Sequence, residues 1–291
     1  MNILEKLVEK VIDGLENGTI PWRKTWKGIY PMNAFNKHEY QGFNVLYLSC
    51  FGSQYSFPLF GTFKQISEAG GRVKKGESAF PVVYWKITEK EQENAETGED
   101  ETIQRFTPFY NNVFNLEQAE GLDIDKYVSD ITPTSKNNTL EVCETVIKNM
   151  PNPPSFEHGD PRAFYRPSTD MVNVPEIRLF DNSEAYYATM FHELAHATGH
   201  PSRLKRFESN KTEFGKNSYD YEELVAEMAA TFLCSYCSIE QTLIENSVAY
   251  LTSWASFLKK ERKTTLFGAA TKAQAAVNYI LGKQPETETQ E

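Results

Sequence analysis

The chain has 291 residues, enough for two domains, and its 40% hydrophobic content is ordinary for water-soluble globular protein. It contains no run of about 18 apolar residues, which argues against a membrane span, and four cysteines, at 50, 143, 234 and 237, make no disulfide framework, so a reducing cytoplasm is the expected location. The net charge of −10 argues at first sight against nucleic acid, yet residues 1–88 carry +4, residues 89–101 carry −6 and the remainder −8, which leaves a mildly basic N-terminal surface.

In chain order, Ile3, Leu4, Leu7, Val8, Val11, Ile12 and Leu15 recur at helical spacing, predicting a helix from about Asn2 to Glu16 that Gly18 ends. Glu5, Glu9 and Asp13 make it amphipathic and unlike a signal peptide. A stretch rich in aromatics and turns follows, in which Trp22, Arg23, Lys24, Trp26 and Lys27 interleave rings with cations. Val45 to Phe51 is apolar throughout and fits helix or strand. Phe63 to Ala69 predicts a helix stopped by Gly70-Gly71, Arg72 to Glu77 a basic turn, and Ala79 to Ile87 a strand. Its partner, Arg105 to Phe114, closes a long hairpin around residues 89–101, whose acidic composition suits a disordered or hairpin-tip loop.

Single-stranded nucleic acid needs cations for its phosphates and aromatic faces for its bases. Trp22, Lys24, Lys64, Arg72, Lys74 and Lys75 are the candidates, although aromatics at this density also serve as core and turn lysines are also simply solvated. Periodicity fades from Asn115 to about Asn138, the best linker, and resumes in a helix from Thr139 to Asn149 that Pro151-Asn152-Pro153-Pro154 breaks. Two short strands, Ala163 to Pro167 and Met171 to Pro175, predict a hairpin.

Next comes His192-Glu193-Leu194-Ala195-His196, and three of the five histidines fall within the nine residues 192–200. On a helix, histidines four apart share a face, so both imidazoles reach one zinc ion while Glu193 is placed to act as a base. Asp181 and Glu184 have capping-box spacing for the start of that helix, and Gly199 sits where a left-handed cap would end it. A catalytic zinc takes three protein ligands. Tyr221 to Ala230 reads as a second amphipathic helix, with Glu223 as third ligand and Glu227, one turn on, orienting an imidazole. Glu222 and Glu227 remain rivals for ligation, and Asp220 with Glu223 also has capping-box spacing. His200 is a weaker rival, because the longer three-histidine pattern needs its last histidine where Ser202 stands. Cys234 and Cys237 continue the second helix and read as buried thiols. Two further helices, about Gln241 to Arg262 and Thr271 to Leu281, complete an α+β chain. Tyr219, Tyr221, His200 and Arg203 are possible donors to a developing oxyanion.

The chain resembles the ArdC-type antirestriction proteins of mobile elements over nearly its whole length. The resemblance rests on Pro21-Trp22, Pro31-Met32-Asn33-Ala34, Tyr40 to Asn44, Thr62 to Gln65, Gly70 to Glu77 and Val113 to Gln118. In the C-terminal half it rests on Thr189 to His200 and Tyr221 to Glu227. It implies an N-terminal single-stranded-DNA-binding domain, residues 1–125, followed by a zincin-like metallopeptidase domain, residues 139–285. Carried over by position, His192 and His196 are metal ligands, Glu193 is the catalytic base, and an acid from the Glu222 to Glu227 segment completes the site. The partners expected are single-stranded DNA and an unidentified protein substrate in the host cell, with no membrane. A non-catalytic DNA-binding shield with a structural zinc site is the alternative.

Overall fold

The computed structural model describes residues 3–17, 30–52, 54–93, 100–129, 139–209, 218–239, 245–261 and 265–283. In chain order it runs α1 (Ile3–Glu16), β1 (Met32–Asn33), α2 (Phe43–Gly52), β2 (Leu59–Thr62), α3 (Phe63–Glu68), β3 (Arg72–Val73), β4 (Phe80–Glu93), β5 (Asp100–Asn115), β6 (Ala119–Glu120) and α4 (Ile124–Ser129). There follow α5 (Thr139–Asn149), β7 (Ser155–Glu157), β8 (Phe164–Arg166), β9 (Met171–Asn173), α6 (Ser183–Ala197), α7 (Ser218–Tyr236), α8 (Glu245–Lys260) and α9 (Thr265–Ile280). The chain is thus α+β, in two compact units: Met32–His38 with Leu59–Tyr127, and Met1–Pro31, Glu39–Pro58 and Val128–Glu291.

The smaller unit is built on a sheet of order β1-β2-β5-β4. A capping box starts α3, the Thr62 hydroxyl accepting from the Gln65 N–H while the Gln65 side chain accepts from the Thr62 N–H. Gly70, at φ +85°, supplies the left-handed residue that stops it. The β4–β5 ladder runs from Phe80↔Val113 to Glu93↔Asp100, so it passes through most of the acidic run expected to form a loop. Ladder bonds are backbone bonds and carry strand pairing through polar sequence; of that run, residues 94–99 lie outside the described residues. Arg72 and Val73, expected in a turn, pair instead with Glu120 and Ala119 as a short antiparallel ladder.

In the larger unit the ambiguous segment at 45–51 is helix α2, buried nearly all round, as a short apolar run without period allows. A three-stranded sheet of order β7-β9-β8 precedes the motif helix; β7 follows directly on the prolines, whose pattern signals only a break. Phe191, Leu224, Phe232 and Trp254 are at most 1% exposed and form the core around α6, α7 and α8. Among the described residues, no helix is long and apolar enough to cross a membrane.

Candidate metal centre

Helix α6 begins one residue later than the capping-box spacing predicts: Asn182, not Asp181, is the N-cap, its side chain accepting from the Ala185 N–H at 2.8 Å. Its end also differs. Thr198 closes it in right-handed geometry, and Gly199 has no positive φ. The glycine is needed for a close approach: a Cβ there would lie 2.7 Å from the Phe207 ring and 3.1 Å from the His196 carbonyl oxygen.

His192 and His196, four residues apart on α6, turn their Nε2 atoms to within 3.1 Å of each other. Glu223, from α7, brings its two carboxylate oxygens to 3.4 Å from His192 Nε2 and 3.5 Å from His196 Nε2. His192, His196 and Glu223 are the one group of three or more potential ligands found together among the described residues, their donor atoms within 4.8 Å of one another. Two imidazole nitrogens and a carboxylate aimed at one point repel unless a proton or a cation sits between them. Zinc–nitrogen bonds of about 2.0–2.1 Å in tetrahedral geometry separate two nitrogens by roughly 3.3 Å, so the donors fit such an ion.

The outer nitrogens face acids as well. His196 Nδ1 lies 3.4 Å from Glu222 Oε1, and His192 Nδ1 lies 3.7 Å from Glu227 Oε2, the latter beyond hydrogen-bond reach. Glu223 therefore stands inside the donor group, with Glu222 and Glu227 behind the rings. Asp220 is engaged elsewhere, accepting from the Ser253 hydroxyl at 2.7 Å.

Burial alone lowers both imidazoles, but the facing carboxylates outweigh it and raise His196 to about 9 and His192 well above its ordinary value. Burial raises Glu223, and His196 and His192 more than reverse this, holding it ionised. A cation entering here displaces protons from the imidazoles, so its affinity rises with pH. Glu193, beside the ligands, is raised by burial, with the neighbouring histidines and the Tyr165 backbone N–H of β8 opposing that shift.

Other candidate residues are placed less tellingly. Trp22 and Lys24 lie outside the described residues. Lys64, Arg72, Lys74 and Lys75 are exposed in the smaller unit, but Arg72 grips the Glu120 carboxylate and the Lys74 ammonium donates to the Glu117 carbonyl oxygen at 2.8 Å. Lys64 sits 3.7 Å from Glu68. Of the oxyanion donors considered, Arg203 is spent on Asp170 and two carbonyls, Tyr221 is 1% exposed, His200 meets Ser202, and Tyr219 is exposed. Sequence reasoning missed Arg206, 3% exposed, which grips Glu222 from the start of a helical turn at residues 206–209 whose sequence carries no periodic signal.

Comparison with known proteins divides the chain by sequence, not along the boundary of the two compact units. Residues 1–114 match a family model of the N-terminal domain of the anti-restriction factor ArdC, and residues 143–272 a model of zincin-like metallopeptidases. The chain is similar to the antirestriction protein ArdC of plasmid R388 in its metal-free crystal structure, with 31% identity and a TM-score of 0.75 over 98% of this chain and 100% of that one. The Mn(II)-bound structure of that protein aligns with a TM-score of 0.74 and 29% identity over 99% of this chain and 100% of that one. A DNA primase, TraC of Escherichia coli, is 34% identical over 95% of this chain, which spans only 20% of the primase's length.

Proposed function

We propose, because this chain belongs to the family of the antirestriction protein ArdC, that it protects a mobile element's DNA with two activities, single-stranded DNA binding and zinc-dependent peptide hydrolysis. The observation that carries the second activity is the convergence of His192 Nε2, His196 Nε2 and the Glu223 carboxylate beside the buried Glu193. Those three residues would hold the cation, and a His, His, Glu donor set suits zinc. A bound zinc supplies Lewis acidity, making a water acidic near neutral pH and polarising a scissile carbonyl.

Glu193 takes a proton from the attacking water on its carboxylate and delivers it to the leaving amine nitrogen. Burial raises that carboxyl, which makes it the stronger base for the first of those transfers. The substrate is a host protein, bound in extended form.

Metal analysis of the full chain tests the site: one zinc per molecule is expected in wild type and none in His192→Ala/His196→Ala. Stoichiometric zinc in the double variant would remove the assignment.

The DNA-binding reading is supported by the family of the N-terminal half and by the exposed cations of the smaller unit. Arg72 and Lys74 are held by hydrogen bonds of their own, and Lys64 only by an exposed carboxylate at 3.7 Å, so Lys64 and Lys75 carry the prediction. Reversing both to Glu in the full chain is expected to weaken single-stranded DNA binding uniformly across sequences. It should also make the slope of log affinity against log salt shallower by about 1.4, at roughly 0.7 for each phosphate no longer neutralised. An unchanged slope would place the DNA elsewhere on the protein.

A further inference from the structure

Glu222 precedes Glu223 by one residue on α7, so the two side chains leave the helix about 100° apart. Glu223 faces the Nε2 atoms, whereas Glu222 reaches the far side of His196. One guanidinium holds both Glu222 oxygens, Arg206 Nε donating to Oε2 at 3.0 Å and Nη2 to Oε1 at 2.6 Å. Arg206 and Glu222 are 3% and 7% exposed. The rest of the guanidinium is spent on the last turn of α6, where Nη2 donates to the Ala195 carbonyl oxygen and Nη1 to the Thr198 hydroxyl, each at 2.7 Å. The Arg206 backbone N–H also donates to the Gly199 carbonyl oxygen at 3.0 Å. A single cation thereby joins the end of the helix bearing His196 to the helix bearing Glu223.

A neutral imidazole offers one N–H and one lone pair, so a ring that gives its Nε2 lone pair to a cation must carry its proton on Nδ1. An acceptor fixed at Nδ1 selects that tautomer and fixes the rotation of the ring. Glu222 can do this only while its own carboxylate is held, because a free buried carboxylate would turn toward the cation or take up a proton. The bidentate guanidinium prevents both. His192 has a looser counterpart, with Glu227 at 3.7 Å from Nδ1.

We infer that Arg206 and Glu222 are a positioning pair for His196: Arg206 fixes the Glu222 carboxylate, and Glu222 accepts the Nδ1 proton so that Nε2 meets the metal. The inference rests on the metal-centre reading above, and it distinguishes the pair from a clamp that merely ties α6 to α7. Cobalt(II) is a suitable probe, because its visible absorption reports ligand geometry while competition with a chelator reports affinity.

On the full chain, Glu222→Gln is expected to lower Co(II) affinity about 10–100-fold and to change the visible spectrum, with the metal-free protein keeping its wild-type circular dichroism. Arg203→Met, which loosens the end of α6 without touching Glu222 or a ligand, serves as the control for lost stability. It should melt earlier yet bind Co(II) within twofold of wild type. Should Glu222→Gln fail to fold, Arg206→Lys takes its place; keeping the charge but losing the fork, it is expected to weaken Co(II) by at least about fivefold. Wild-type affinity and spectrum in the Glu222 variant, or in Arg206→Lys if that is the one that folds, would reduce the pair to a clamp. If wild type itself binds no Co(II), the metal-centre reading fails instead.

Discussion

Glu193→Gln is expected to abolish proteolysis and the protection of incoming DNA while leaving zinc content at one per chain and single-stranded DNA affinity within about twofold, a difference near 0.4 kcal/mol. The amide has the shape of the carboxylate and fits the same buried place, but it takes no proton from water. Losing a general base costs about 10²–10⁴-fold in rate, which in a restriction-protection assay reads as full loss. Glu193 is not among the three converging donors, so metal retention separates this variant from one that has lost its site. Protection that survives the substitution, with proteolysis gone, would favour a stoichiometric DNA-binding shield over a peptidase.

The parts of this centre that were legible in sequence are those whose geometry is local. Two histidines four apart share a helical face whatever surrounds them, and the acidic helix at 221–227 offered its candidates by period alone. Which of its acids faces the rings is a tertiary matter. Glu222 was a rival to Glu223 by pattern, and what turns it away is Arg206, sixteen residues distant in a helical turn too short to show a period of its own. The turn expected at residue 72 gave way for a related reason: Arg72 meets Glu120 across a strand pair, at a separation of 48 residues where composition carries no signal. Gly199 shows a third kind of miss. Its position after a helix predicted a left-handed cap, yet the constraint is the Phe207 ring packed against it.

Arg203→Met is expected to destabilise the folded chain by about 1–3 kcal/mol, because the charged donor is lost from a network of four hydrogen bonds while the Asp170 carboxylate left behind is 31% exposed and reaches water. The Arg203 side chain is 0% exposed, and its guanidinium donates to both Asp170 oxygens at 2.9 and 2.8 Å, to the Asn152 carbonyl oxygen at 2.9 Å and to the Ala197 carbonyl oxygen at 3.1 Å. It therefore ties the end of α6 to the proline-rich segment before β7 and to the turn between β8 and β9. Tyr165 adds its hydroxyl to Asp170 at 2.8 Å, so strand β8 hangs on the same carboxylate. Partial burial raises Asp170, but the hydrogen bonds from Arg203 and Tyr165 outweigh it and hold the group below its ordinary value. A carboxylate depressed on folding contributes stability that is present above its unfolded pKa, about 3.9, and is lost as pH falls through the lower folded value. Thermal unfolding of wild type and Arg203→Met should therefore differ most near neutral pH, and the gap should narrow as pH falls below the unfolded value, leaving only the part owed to the Asn152 and Ala197 carbonyl oxygens. Equal melting at pH 7, or a gap that persists undiminished in acid, would mean that Arg203 acts through its aliphatic packing and not through Asp170.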